Sequence, residues 1–310
     1  VRCVGTGGPP FCPVFDDQAF IGLEELLRFP ALVDPFTEQL DADWTEWGGR
    51  WSLDYRLSDD AMVYGSISRG FKAGNFSIAA LQALLGNAAQ EVDSEILWAY
   101  ELGFKSELAD GTVLLNGAVF YYDWKDLQTF QALLDPVSGI ALPQLLNVPE
   151  SALTGAELEL VWAPAPDWLV QLGLGYIDSE IKDGGYIVGA NDGNKLPGAP
   201  EWTFNGLLRK EFHMDDGVLS LQAFTRFQDE TTFDIANADI LTEGSYWIVN
   251  VRGAYRWGPA ERYEVAVWAN ELTGDEYCRS LTSLQGLAES IACVPSLGRP
   301  TYGITASMLF

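Results

Sequence analysis

The sequence predicts an all-β chain: an antiparallel transmembrane β-barrel segment of about eleven long strands with short periplasmic turns and long external loops. Three observations carry this. Although 48% of the 310 residues are hydrophobic, no apolar run approaches the roughly 20 residues that a membrane-crossing helix needs. From Glu46 onward, apolar and polar residues alternate with period two over stretches of ten or more residues, longer than the roughly 5–6 usual for a soluble strand. The connections between those stretches alternate short and long, as in outer-membrane barrels.

Residues 1–45 are irregular, with Gly and Pro from Gly5 to Pro10, a short helical pattern near Phe20–Phe29, then Pro30 and Pro35; they are expected to form an external loop region. Strand 46–57 sets Trp51, Leu53 and Tyr55 against Arg50, Asp54 and Arg56, and Ser58-Asp59-Asp60 turns the chain into strand 61–71. After a long loop, 72–93, strand 94–108 sets Ile96, Trp98, Tyr100, Leu102 and Phe104 against Glu95, Glu101 and Lys105. Ala109-Asp110-Gly111 leads to strand 112–128, and a second long loop is expected at 129–152. Strand 153–163 opposes Ala156, Leu158, Leu160 and Trp162 to Glu157 and Glu159, and Pro164 to Asp167 turns into strand 168–181. Loop 182–199, strand 200–212, the turn His213 to Asp216 and strand 217–230 follow. Loop 231–245 precedes strand 246–257, where Trp247, Val249, Val251, Gly253 and Tyr255 oppose Asn250, Arg252 and Arg256. Gly258 to Glu261, strand 262–272 and loop 273–298 lead to strand 299–310, with Tyr302, Ile304, Ala306, Met308 and Phe310 on one face. The short connections are rich in Asp, Gly and Pro, as tight hairpins require. With short turns at the periplasm, both cysteine pairs fall on the external side and Phe310 at the periplasmic interface.

Aromatic residues make up 13% of the chain, with 11 Trp and 12 Tyr, which suits interfacial belts. A net charge of −26 excludes nucleic acid and polybasic attachment to anionic lipid. Nine acidic residues precede Trp47, in a segment suited to a solvated loop or to attracting cations. The chain begins Val1-Arg2-Cys3, without Met or a signal peptide, as expected of a mature or truncated exported chain. Cys3 with Cys12 and Cys278 with Cys293 are expected to form two local disulfides. No nucleotide loop, Ser-His-Asp arrangement or cofactor motif occurs, and the single histidine, His213, sits in a short turn. Glu157 and Glu159, about 7 Å apart along one strand face, resemble a hydrolase pair but suit a charged lumen wall better. Asp183-Gly-Gly and Asn191-Asp-Gly-Asn are read as turns rather than calcium loops.

Seven motifs then resemble one family in its own order. Tyr64-Gly-Ser-Ile-Ser-Arg-Gly-Phe-Lys-Ala-Gly-Asn-Phe76, Tyr100-Glu-Leu-Gly-Phe-Lys-Ser106 and Phe120-Tyr-Tyr-Asp-Trp-Lys-Asp-Leu-Gln128 are similar to stretches of TonB-dependent outer-membrane receptors. So are Asn147 with Gly155-Ala-Glu-Leu-Glu159, Leu196-Pro-Gly-Ala-Pro-Glu-Trp202, Asn270-Glu-Leu-Thr-Gly-Asp-Glu-Tyr277 and Gly298-Arg-Pro-Thr-Tyr-Gly303, the last lacking one Arg of the family's pattern. The resemblance spans 46–310 and implies the C-terminal half of a plugged barrel of about 22 strands, with no counterpart of the plug or of the segment that meets TonB. For the full receptor it implies active, energy-coupled uptake of a scarce solute such as a siderophore, vitamin or carbohydrate, and no enzymatic activity. The implied partners are outer-membrane lipid, lipopolysaccharide, TonB, the barrel-insertion machinery and a small-molecule solute, with no cofactor. A passive porin or structural barrel, and a soluble β-rich carbohydrate-active domain, are the alternatives.

On this reading Arg50, Arg56, Glu101, Asn116, Glu157, Arg209, Arg226, Asn250 and Arg252 are candidates for the lumen and the solute path. Phe76, Phe130, Phe233 and Tyr246 are candidates in the external loops. The odd strand count forbids antiparallel closure, so strands 46–57 and 299–310 are expected at the edges of an open sheet. Phe310 is expected to serve as an assembly signal as well as an interfacial anchor. Full burial of a Phe is worth only about 1.5–3 kcal/mol. Its deletion from the full-length receptor should therefore lower the amount of heat-modifiable protein in outer membranes far more than the melting temperature of what assembles.

Overall fold

A computed structural model describes residues 40–77, 89–134, 141–283, 291–296 and 298–309. Its strands are β1 (Gly49–Ser58), β2 (Ala61–Lys72), β3 (Asn75–Ser77), β4 (Gln90–Val92), β5 (Glu95–Leu108), β6 (Val113–Leu134), β7 (Ala141–Trp162), β8 (Trp168–Asp183) and β9 (Trp202–Met214). They continue with β10 (Gly217–Gln228), β11 (Thr231–Thr232), β12 (Thr242–Glu243), β13 (Tyr246–Trp257), β14 (Tyr263–Asn270), β15 (Cys278–Ser283), β16 (Ile291–Pro295) and β17 (Thr301–Met308). Eleven of them form one sheet in the order β1-β2-β5-β6-β7-β8-β9-β10-β13-β14-β17. Every neighbouring pair is antiparallel. The sheet is open, with β1 and β17 at its edges, as the odd strand count requires. Among the described residues no helix is long and apolar enough to cross a membrane.

One expected loop is largely strand. Residues 129–134 and 141–149 extend the β6–β7 hairpin past the neighbouring strands of the sheet, and residues 150–152 of β7 pair with β8. Pro143 and Pro149, which cannot donate to a ladder, argued for a loop in the sequence. In the ladder Pro149 lies opposite Asp126, where pairing lapses and Asp126 takes φ 54°. The missing donor is thereby accommodated without breaking the hairpin. Three of the other four long loops carry the two-stranded ladders β3–β4, β11–β12 and β15–β16.

The register gives the sheet two distinct faces, because directly paired residues project to the same side. On one face Tyr55, Phe104, Trp162, Trp168, Phe212, Tyr255, Trp257 and Tyr263 lie near the short turns. Trp98, Tyr100, Tyr121, Tyr176, Trp202, Phe204, Phe227 and Trp247 lie near the long loops on that same face. Each row is joined by ring contacts, such as Tyr255–Trp257 at 5.7 Å in the first and Phe227–Trp247 at 4.9 Å in the second. Between the rows the face is aliphatic and bare, with Leu102 62% and Val267 55% exposed. The rows stand eight positions apart in β9 (Phe212, Phe204) and ten in β13 (Trp257, Trp247). At about 3.3 Å per residue and about 40° tilt this is roughly 20–25 Å, the height of the apolar band of an outer-membrane barrel.

The buried core lies elsewhere. Leu146, Val148, Ile181, Ile187, Ala190, Leu196 and Ile235 cluster at the long-loop end, with Trp124, Leu127 and Ala199 packed against them. They come from the extended β6–β7 hairpin, the end of β8 and the loops that follow β8 and β10. Water is excluded there by packing, while the middle of the sheet leaves its apolar side to lipid.

The two faces should respond oppositely to charge. Val119, midway along the apolar face of β6, is 53% exposed. Val119→Arg in the full receptor is expected to cost about 2–4 kcal/mol in lipid. Ala118→Arg points to the other face, directly opposite Glu157, and is expected to cost far less. Equilibrium unfolding in phospholipid vesicles compares the two.

Candidate functional site

The second face is polar, and the register places all nine lumen candidates on it. Arg50 and Arg56 share the face with Ser68 and Met62 of β2. Ser66 faces Glu101, Lys105 faces Asn116, Asn116 faces Glu159 and Ala118 faces Glu157. Farther along, Arg209, Gln222 and Arg252 form one line across β9, β10 and β13, while Arg226 and Asn250 lie on the same side toward the external end.

The charge on this face is divided. On β1 to β7 the anions Asp54, Glu101, Glu157 and Glu159 outnumber Arg50, Arg56 and Lys105. On β9 to β14 the cations Arg209, Arg226, Arg252 and Arg256 outnumber Glu211 and Glu264. Several of these groups have local work. Arg252 pairs with Glu264 at 2.7 Å, and Arg256 with Glu211 at 2.8 Å and Glu261 at 2.9 Å. Arg50 donates to Ser66 Oγ at 3.2 Å, and Asn250 Oδ1 accepts from the Glu271 N–H at 2.9 Å. Arg209 and Arg226 make no ion pair among the described residues; Arg226 donates only to Gln228 Oε1, at 3.1 Å. On the polar face of β9 to β14, among the described residues, those two guanidiniums are the cations without an ion pair.

The four external aromatic candidates occupy different settings. Phe130 is 72% exposed. Phe76 packs edge-on against Trp44 at 5.8 Å. Phe233 is partly buried, and its N–H bonds to the Leu241 carbonyl. Tyr246 is buried on the polar face, stacks on Tyr277 at 3.8 Å and hydrogen-bonds Gln228 Oε1 at 3.1 Å. It acts as a post between β13 and the loop that follows β14 rather than as a free contact. Beside it the disulfide Cys278–Cys293 joins β15 to β16, and Glu243 accepts from the Cys278 N–H at 2.9 Å. Cys3, Cys12 and Phe310 lie outside the described residues.

Side-chain amides tie the external loops to the hairpin. Asn147 accepts from the Asp93 N–H at 2.8 Å and donates to the carbonyls of Asp93 and Asp126. Gln128 donates to the carbonyls of Ala73 and Asp93, both at 2.9 Å. Asn194 bridges the carbonyls of Gly189 and Ile235, and Asn237 exchanges bonds with the Lys195 backbone. The hydrogen bond from Lys195 to Asp178 raises the ammonium pKa above the ordinary lysine value. These ties join segments far apart in sequence, which no local pattern announces. Arg69 was equally hidden. It projects from the apolar face beside the upper aromatic row, where Glu46 pairs with it at 2.7 Å and the Trp47 ring lies 4.6 Å away. A cation at an apolar parity position was the only signal of that clamp.

The family model described as TonB dependent receptor-like, beta-barrel matches residues 29–272. The chain belongs to this family. It is 27% identical over 283 residues to the pesticin receptor of Yersinia pestis, covering 90% of this chain and 38% of that protein. The structure of the ferric yersiniabactin uptake receptor FyuA from Yersinia pestis superposes with a TM-score of 0.67 at 25% identity, over 84% of this chain and 37% of that one. The copper transporter OprC shares the fold, with a TM-score of 0.61 at 14% identity. The chain thus spans well under half the length of these relatives. Its place is the bacterial outer membrane, in agreement with the two aromatic rows.

Several family-like motif residues have structural duties here. Arg69 closes the Glu46–Trp47 clamp, Asn147 holds the Asp93 segment and Leu196 belongs to the external core. Asn147→Ala leaves the Asp93 N–H and two carbonyls without this partner, at a local cost of about 1–3 kcal/mol. Hydrogen exchange on the full receptor is expected to show faster exchange near residues 73–77 and 89–95, with global unfolding little changed.

Proposed function

We propose that residues 46–310 form the C-terminal half of the barrel of an outer-membrane receptor for active, energy-coupled solute uptake, with residues 1–45 as an external loop region. The observation that carries this is the two-faced sheet: an apolar band bounded by aromatic rows on one side, and on the other a charged wall matching a plugged, polar lumen. Polar-face residues such as Arg56, Asn116 and Glu157 would line that lumen. TonB would act through the rest of the receptor, and the insertion machinery would read the strand ending at Phe310. The chain's role is to carry rather than catalyse.

The solute class is inferred from charge and from what a related receptor takes up. The receptor of Yersinia pestis takes up ferric yersiniabactin. Here the acidic composition favours cations at long range, whereas Arg209 and Arg226 offer unpaired guanidiniums inside the polar face. A metal chelate that is neutral or cationic overall and presents anionic oxygen donors satisfies both, and Arg226, nearer the external end, meets it first.

Uptake of iron-55 chelates by cells expressing the full-length receptor tests the reading. Uptake should require TonB and the proton-motive force; uptake that persists without TonB would leave the porin reading. Arg226→Gln is expected to weaken chelate binding about tenfold, the loss of one charge-assisted hydrogen bond. Arg56→Gln, at the periplasmic end of β1, should leave affinity unchanged.

A further inference from the structure

Lys210 is out of place on its face. The register aligns it with Trp168 of β8 and Leu221 of β10, both on the apolar side. Among the described residues it is the one charged side chain on that side from the short-turn aromatic row up to the long-loop row. It stands four positions before the end of β9 at Met214, about 10 Å above the short-turn rim. A charge in contact with lipid is costly unless it reaches the interface or finds a partner.

Its surroundings satisfy it only in part. The ammonium lies 5.4 Å from the Trp168 ring and 5.5 Å from the Phe212 ring. Its polar neighbours are the Pro166 carbonyl at 3.4 Å and an Asp167 carboxylate oxygen at 3.7 Å. Both are longer than the roughly 2.7–2.9 Å of a charge-assisted hydrogen bond. The other Asp167 oxygen is engaged by His213 Nε2 at 2.9 Å. An ammonium has three donors, and here none is well used. The side chain reaches down toward the rim, where lipid phosphates of the inner leaflet lie.

An apolar groove of about 1100 Å³ adjoins Lys210 on the lipid side. It is lined by Leu208, Ala223, Val251, Gly253, Val267 and Ile304, and the small Ala223 and Gly253 leave room between larger neighbours. This exceeds the roughly 300–1,000 Å³ of ordinary ligand sites, and its length lies within the aliphatic band. We propose that the groove and Lys210 form a site for one glycerophospholipid of the inner leaflet, its acyl chains in the groove and its phosphate on the Lys210 ammonium. The aromatic rings of Trp168 and Phe212 would flank the headgroup at the interfacial belt. The site is independent of the transported solute.

Native mass spectrometry of the full-length receptor tests it, after delipidation and addition of phosphatidylglycerol or, separately, the matching diacylglycerol. One phosphatidylglycerol is expected to survive activation that strips the rest, while diacylglycerol is lost. Lys210→Met should lower retention about tenfold, and Lys210→Arg should hold it within about twofold of wild type. Ala223→Phe, which keeps the charge and fills the groove, should also release the lipid and serves if Lys210→Met does not assemble. Equal retention by wild type and both disabling variants overturns the proposal, as does equal retention of diacylglycerol, which would mark annular lipid alone.

Discussion

The structure depends on cross-strand register between two solvents. Successive side chains alternate sides, so a slip of one position would exchange the aliphatic row of β13 for Arg252 and Arg256. In water such a slip is costly on one face; here it is costly on both, since lipid rejects the charges and the polar wall loses its pairings. Arg252–Glu264 and Arg256–Glu211 act from the polar side to fix the same register that Trp247 and Trp257 fix from the other. Short turns reinforce this locally: Ala109 and Asp110 take φ of 52° and 54° and Gly111 of 81°, confining the hairpin between β5 and β6 to one geometry.

Such a sheet has no core of its own, and the side-chain packing that a soluble domain would place inside sits at the external end. Ile181 and Ile235 are fully buried there although their segments are more than 50 residues apart. The amides of Asn147, Asn194 and Asn237 then hold loop backbone that lacks ladder partners, each meeting donors and acceptors which would otherwise be orphaned. The loops are therefore built as a small folded layer on a membrane sheet. Such a layer can present Phe130 to solvent while burying Tyr246.

What was legible in the sequence is what depends on neighbours a few residues away. Period-two alternation and Asp-Gly turns determine strands and hairpins locally, so all eleven long strands, both sheet edges and the sidedness of Arg50 through Arg252 could be read directly. The β6–β7 extension was hidden because Pro143 and Pro149 speak locally against a strand, and only the facing chain shows that the donor Pro149 lacks falls at an unpaired position. Most loop ties and the Tyr246–Tyr277 stack were hidden for a different reason: they join distant positions, 31 apart for the stack and 54 for Asn147 with Asp93, and spacing carries no information about them. Phe130 and Tyr246 looked alike as loop aromatics; their difference is made by what packs on them.

The charge distribution follows from the same constraint. Lipid contact disfavours charge on one face, so among the described residues charge is concentrated on the polar face, the turns and the loops, with Arg69 and Lys210 among the exceptions. The acidic excess is not dispersed evenly over the polar face. Instead the polar face divides into an anionic part on β1 to β7 and a cationic part on β9 to β13. A field that runs across the wall orients whatever dipolar or zwitterionic body lies against it, whether solute or plug. A uniformly acidic wall with the same net charge would only attract cations. Attraction is thus supplied by composition, and orientation by register, through the alignment of Arg209, Gln222 and Arg252 on three adjacent strands.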